Sequence, residues 1–208
     1  MSKLILFGAG AAIILDYEET CRRAGLEIAA CIKNRDGDSY FSDASRLQPI
    51  SRLDGALRDI PCLCPIFAPE QRRFAAAEAQ TAGFRFYPAL IDPTAVVAST
   101  ARFGIGGYVN AQAIVAAACE VGPHVLINRG ANIGHHCRMG EYVSVGPGAV
   151  ISGFVHIGDG VLIGSGAVIK GKVRIGAGAI LGAGAVVIED VPPGVTVAGN
   201  PARLLRKN

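Results

Sequence analysis

From residue 91 to residue 187 an apolar side chain returns at every sixth position without an insertion: Ile91, Val97, Phe103, Val109, Val115, Val121, Ile127, Ile133, Met139, Val145, Ile151, Ile157, Ile163, Ile169, Ile175, Leu181 and Val187. Phe103 and Met139 leave the Val/Ile/Leu set but remain apolar. The fifth place of each unit is small or Val, from Ala95 to Ala185, and the second is often glycine, as at Gly104, Gly134, Gly146 and Gly164. A strict period of six predicts a parallel β-helix in which three units close one triangular coil of about 18 residues. The first and fifth places fill its inside. The second-place glycines are expected at corners with positive φ, a conformation that glycine adopts freely and asparagine tolerates. Asn110 and Asn128 share that second place, one coil apart. Cys119 and Cys137 are both fifth-place residues one coil apart, so they should stack in neighbouring rungs roughly 4.8 Å apart. About five coils fit the repeat. The tail 190–208, with Pro192-Pro193 and Gly199-Asn200-Pro201, should leave the coil and cap it.

Residues 1–88 follow a different rhythm. The pattern predicts strands at Leu4–Phe7, Glu27–Ile32, Cys62–Phe67 and Phe84–Tyr87, and helices at Ala11–Ala24 and from Pro69 to about Thr81, each closed by a glycine. Residues 39–59 read as irregular, with a short helix near Leu53. Strands alternating with helices predict a small parallel α/β sheet. The expected fold class is therefore α/β plus all-β: a small Rossmann-like domain over 1–88, a joint at 88–93, and a β-helix domain with a terminal cap over 89–208.

Composition narrows the function classes. The net charge is +3 on 208 residues, with no basic run beyond Arg72-Arg73 and the tail, so no nucleic-acid partner is expected. No apolar stretch reaches membrane-spanning length. The start lacks the long apolar core of a signal peptide, so no membrane partner and a cytoplasmic location are expected. Six cysteines suit that compartment as free thiols. A zinc site would need convergent His or carboxylate ligands, so no metal is expected. Gly8-Ala9-Gly10-Ala11-Ala12-Ile13 fails the last glycine of a dinucleotide fingerprint, and Lys33-Asn34-Arg35 stand where its acidic residue belongs, which argues against NAD.

The hexads together with the tail Val191-Pro-Pro-Gly-Val-Thr-Val-Ala-Gly-Asn-Pro-Ala-Arg203 resemble the left-handed β-helix, hexapeptide-repeat acyltransferases. The α/β unit, the joint 84–95 and the stretch Ile133-Gly-His-His-Cys-Arg-Met-Gly140 narrow the resemblance to the bacterial UDP-4-amino-sugar N-acetyltransferases and sialic acid O-acetyltransferases. The resemblance supplies the handedness, which runs against the usual right-handed crossover. It also implies a homotrimer, acetyl-CoA in the groove between neighbouring coils, and a sugar or nucleotide-sugar acceptor held partly by the α/β domain for surface glycan synthesis.

Acetyl transfer from a thioester needs a base that titrates near neutrality, which an imidazole provides. Of the four histidines, His135 follows the corner glycine Gly134, should face outward, and matches the base of a Gly-His-acidic-Cys motif. His136 departs from that motif, because similar enzymes carry Asp or Glu there; Glu141 is the one candidate substitute. Gly153 lies one coil after His135 and matches a position whose N–H meets the developing oxyanion. Ser144, Ser165 and Ala183 match acetyl-CoA contacts. The first turn, Gly8, Gly10, Ala11 and Ala12, is expected to hold acceptor phosphates through backbone amides at a helix start, aided by Lys33 and Asn34. The turn and the Lys33-Asn34 pair differ from the Ser-Gly-His and the acidic pair of similar nucleotide-sugar enzymes. His124 and His156 read as solvated. Two other readings exist: a non-catalytic ligand-binding or assembly module, and a β-helical carbonic anhydrase-like metalloenzyme. The latter would need two histidines five residues apart, and none are.

Overall fold

A computed structural model describes residues 2–207; Met1 and Asn208, the outermost residues of the two expected parts, lie outside it. The chain begins with β1 (Lys3–Phe7), α1 (Ile14–Arg23) and β2 (Glu27–Lys33), followed by β3 (Leu47–Pro49), β4 (Cys62–Leu63) and α2 (Pro69–Thr81). The four strands form a parallel sheet ordered β3-β2-β1-β4. Four expectations are corrected here. Residues 39–59 contain β3, paired with Cys31–Lys33, besides three short 3-10 turns. The strand expected over Cys62–Phe67 stops at Leu63, because Pro65 cannot donate to a ladder and the Ile66 N–H turns back to the Cys64 carbonyl at 2.8 Å. Residues 84–87 reduce to one bridge between Phe86 and Cys62. Helix α1 starts at Ile14, with Ala11–Ile13 forming the turn that leads into it.

From Leu90 onward two-residue strands alternate with four-residue corners, and successive coils stack into three parallel sheets. Each aliphatic first-place residue faces inward and meets its equivalents one coil away, as Ile127 does between Val109 and Val145. With the fifth-place residues they form one continuous core running from Val109 to Val197. Cys119 and Cys137 are buried free thiols within it, on neighbouring rungs.

The glycine pattern has a different cause from the one expected. Positive φ occurs at the fourth place of the hexad, at seven coil glycines from Gly106 to Gly184 and also at Gln112, Ala118, His124, His136, Tyr142, Phe154 and Lys172. None of the second-place glycines is left-handed. They are glycines because the next rung is too close: a β-carbon on Gly164 would stand 2.5 Å from the Ala183 nitrogen, and one on Gly134 2.6 Å from the Gly153 nitrogen. At second-place asparagines the side chains instead form a ladder, Asn110 Nδ2 donating to Asn128 Oδ1 at 2.9 Å.

The residue preceding each inward aliphatic points outward and gives each face its character. One face presents Arg102, Glu120, Arg138, His156 and Arg174. A second presents Val96, Ile114, Asn132, Val150, Val168 and Val186, with Val96 64% and Val150 41% exposed. The third presents Leu90, Tyr108, Leu126 and Ser144, and the α/β unit covers it: Leu4, Leu6, Tyr17 and Leu63 share one core with Leu90, Tyr108 and Leu126. Tyr17 stacks on Tyr108 with centroids 3.8 Å apart. The tail also differs from expectation. Val195–Ala198 adds one more parallel strand to the covered face, beside Ile180–Leu181, before Arg203–Lys207 folds back antiparallel on it. No described helix is long and apolar enough to cross a membrane.

Candidate active site

The coil has three edges, and four of the expected site residues divide between two of them. His135 and Gly153 occupy the edge between the apolar face and the Arg/His face, on neighbouring rungs. Ser165 and Ala183 occupy the edge between the covered face and the apolar face, again on neighbouring rungs and both exposed. Within one protomer the full width of the apolar face separates the two pairs.

His135 is exposed and lies flat against the next coil. A β-carbon on Gly153 would stand 2.8 Å from both Cε1 and Nε2 of its ring. The Gly153 N–H has no hydrogen-bond acceptor among the described residues. His135 Nδ1 faces His136 Nδ1 at 3.1 Å. The His136 ring stacks on Phe154, with centroids 4.8 Å apart and planes 18° apart, while His135 meets Phe154 edge-on at 5.0 Å. Phe154 lies one coil after His136, so the eighteen-residue register already paired them in the sequence. Glu141 is not the substitute for an acidic partner: it lies on the edge between the Arg/His face and the covered face, where its carboxylate pairs with Arg73 at 3.1 Å.

The side chain of Ser144 is fully buried between the α/β unit and the coil. Its hydroxyl donates to the Phe67 carbonyl at 2.5 Å and accepts from Arg72 Nη2 at 2.9 Å. Arg72 is itself buried and donates to five carbonyls besides: Ile66, Phe67, His124, Tyr142 and Val143. Burial pushes its pKa down to about 10, still well above neutrality. This clamp had no signature in the sequence, since Arg72-Arg73 reads as a surface pair. His124 corrects the expectation of a solvated residue. It is 5% exposed, stacked on Tyr142 at 4.7 Å and edge-on to Phe86 at 4.4 Å, and burial lowers its pKa to about 4. His156 is half-buried in the Arg/His face.

At the α/β unit, Gly8, Gly10, Ala11, Lys33 and Asn34 line one cavity of about 190 Å³, closed by Arg35, Asp36, Asp38, Ile66 and Gln71. Asn34 is fixed by a 2.7 Å hydrogen bond from its amide to Glu78. Gly8 has φ 103°, and a β-carbon there would press on Ile66 at 3.1 Å. Ala12 lies outside this cavity, in a cleft with Asp16, Phe67, Arg129 and Ser165 that joins the α/β unit to the Ser165 edge. Arg129, unremarked in the sequence, is held there by Asp16 at 2.6 Å. Among the described residues no cluster of three or more His, Cys, Asp or Glu is placed to hold a metal ion.

The bacterial transferase hexapeptide (six repeats) family matches residues 108–153 and 154–189. No curated protein matches the chain. Among solved structures, the acetyltransferase domain of PglB from Neisseria gonorrhoeae, in complex with acetyl coenzyme A, is 30% identical with a TM-score of 0.85, covering 98% of each chain. A histidine-to-asparagine variant of perosamine N-acetyltransferase from Caulobacter crescentus, in complex with CoA and GDP-perosamine, is 28% identical with a TM-score of 0.86, covering 99% of this chain and 97% of that one. WeeI from Acinetobacter baumannii is 26% identical with a TM-score of 0.78, covering 99% of this chain and all of the other. A hexad coil carrying an outward histidine against a bare glycine rung, an α/β unit seated on one of its faces, and likeness over nearly the whole length lead to one assignment: the chain belongs to the left-handed β-helix, hexapeptide-repeat acetyltransferases of the amino-sugar subfamily.

Proposed function

We propose that the protein transfers the acetyl group of acetyl-CoA to the amine of a nucleotide-linked amino sugar, in the cytoplasm, for surface glycan synthesis. The observation that carries this reading is His135 lying against Gly153, a base and an unengaged N–H donor on adjacent rungs. The acceptor nitrogen attacks the thioester carbon while its proton passes to His135 Nε2. The carbonyl oxygen becomes an oxyanion that the Gly153 N–H meets, and such a donor is worth about 3 kcal/mol to the transition state. The tetrahedral intermediate then collapses, the C–S bond breaks, and the CoA thiolate leaves with the proton held by His135.

The cavity at Gly8, Gly10, Ala11, Lys33 and Asn34 holds the nucleotide, and Ala12 lines the neighbouring cleft that leads to the Ser165 edge. Support for a phosphate there comes from the tight turn before α1 and the neighbouring Lys33 and Arg35. Relatives bound to CoA and to GDP-perosamine support the co-substrate and the acceptor class. The acceptor cavity, Ser165 and Ala183 belong to one side of the coil and His135 to another. A homotrimer packed through the apolar faces brings the His135 edge of one protomer against the Ser165 edge of the next and completes the site, with acetyl-CoA between coils.

The test is thiol release from acetyl-CoA with UDP-4-amino sugars, GDP-perosamine, free amino sugars and sialic acid as acceptors, alongside His135→Ala. Release with a nucleotide amino sugar, lost in the variant, is expected. Acetyl-CoA binding without release from any acceptor would remove the acceptor assignment, and absence of acetyl-CoA binding would favour the non-catalytic reading.

A further inference from the structure

The motif around the base carries an imidazole where an acidic partner is usual, and the geometry shows what that imidazole touches. His135 Nδ1 and His136 Nδ1 are 3.1 Å apart. Two nitrogens at that distance share one proton, so one ring donates and the other accepts. For Nε2 of His135 to take a proton from the acceptor amine, it must hold a lone pair. In the neutral ring the proton then sits on Nδ1, and the ring nitrogen facing it belongs to His136. The partner ring is fixed as well: His136 stacks on Phe154, and both hold the left-handed corner position, with φ 57° and 62°.

We propose that His136 is the positioning residue of the base. As a neutral ring protonated on Nε2, it accepts the Nδ1–H of His135 and so holds His135 in the tautomer that leaves Nε2 free. It plays, without charge, the part that a carboxylate plays behind other catalytic histidines. During transfer His135 becomes an imidazolium, and its Nδ1–H bond to His136 becomes charge-assisted and stronger. No proton leaves the pair until the CoA thiolate takes the one on Nε2. The proposal rests on His135 being the base, but it can be tested without turnover.

Nitrogen-15 NMR of the histidine rings distinguishes the two neutral tautomers directly. At a pH where both rings are neutral, His135 is expected as the Nδ1–H form and His136 as the Nε2–H form. His136→Phe keeps an aromatic ring over Phe154 at a corner that already accepts one, but removes the acceptor; His135 should then lose its preference for Nδ1–H. His136→Asp, which suits a left-handed position, should restore it. In acetyl transfer to a UDP-4-amino sugar or GDP-perosamine, whichever turns over, His136→Phe should lower kcat by at least about tenfold with KM for acetyl-CoA unchanged, and His136→Asp should recover it. Finding His135 as Nε2–H in the unmodified protein, or an unchanged tautomer in His136→Phe, overturns the proposal. Loss of thiol release in the unmodified protein, with the Nδ1–H tautomer present, would instead count against the acyltransfer reading alone.

Discussion

Gly153 matters for the side chain it lacks. Its φ is not left-handed, so alanine fits the backbone, yet the added β-carbon would stand 2.8 Å from two atoms of the His135 ring. Gly153→Ala should therefore displace the base while the coil still folds. A kcat at least about tenfold lower with a melting temperature within a few degrees of the parent is expected; unchanged kcat would mean that the ring does not work from this position. The stacking of His135 and Gly153 was legible in the sequence because an exact register of eighteen residues places one over the other. His124 was misread because its corner would be open on a bare coil; the α/β unit covers it through Phe86, a contact between residues far apart in the chain. Burial, with a smaller contribution from Arg72, holds the folded His124 pKa at about 4. The ring is neutral in the fold and an unfolded histidine titrates at about 6.5. Folding stability should therefore fall by about 3 kcal/mol as pH drops from 6.5 towards 4, because only the unfolded chain takes up the proton. Urea titrations of His124→Asn, which suits a left-handed corner, should show a shallower loss over that range; an equal loss would contradict the assignment.

Between elements, two buried polar clusters hold the α/β unit on the coil, and neither had a sequence signature. Arg72 on α2 grips carbonyls on both sides of the joint. Asp92, at the first corner, accepts from Thr20 at 2.7 Å and pairs with Arg23 at 2.6 Å, both on α1. Burial alone would raise the Asp92 pKa, but hydrogen bonds from Arg23, Thr94 and Thr20 outweigh it and hold the carboxyl at about 2. This depressed value adds stability that is present above the unfolded pKa of about 3.9 and is lost as pH falls through that value towards 2. Asp92→Asn should lower stability by about 2 kcal/mol at neutral pH, and the deficit should shrink below pH 4; a deficit independent of pH would show that packing rather than charge is responsible. The hexads, both helices and the first two strands were legible because periodicity is local, whereas the short strands Leu47–Pro49 and Val195–Ala198 carry no periodic pattern of their own and were not. These polar contacts were not, because they join residues about seventy positions apart that share no motif.

At the scale of the whole molecule, an apolar ladder on an otherwise well-packed coil calls for a partner. Val96, Ile114, Val150 and Val168 are each at least 38% exposed and aligned along one sheet. Rows of this kind mark association surfaces. A charge at the centre of such a row is costly to bury, so Val150→Glu should shift sedimentation from the proposed trimer towards monomer and remove acetyl transfer, while acceptor binding at the α/β cavity proposed for it persists. A trimer that withstands the substitution would place the interface elsewhere. The period of six predicted a triangular coil, but the hand of that coil came only from likeness to known relatives. The separation of the proposed site residues across two edges became visible only once the three faces could be told apart.

That separation makes mixed oligomers the most direct measurement. His135→Ala lacks the proposed base but keeps the proposed acceptor cavity. Gly10→Phe fills the cavity of about 190 Å³ but keeps the base. Each variant alone should release no thiol from acetyl-CoA with the nucleotide amino sugar that serves the unmodified protein. After dissociation and reassembly together, thiol release should return, because an intact His135 on one protomer then faces an intact cavity on its neighbour. Mixed trimers that form but stay inactive would place base and acceptor on the same protomer and contradict the account.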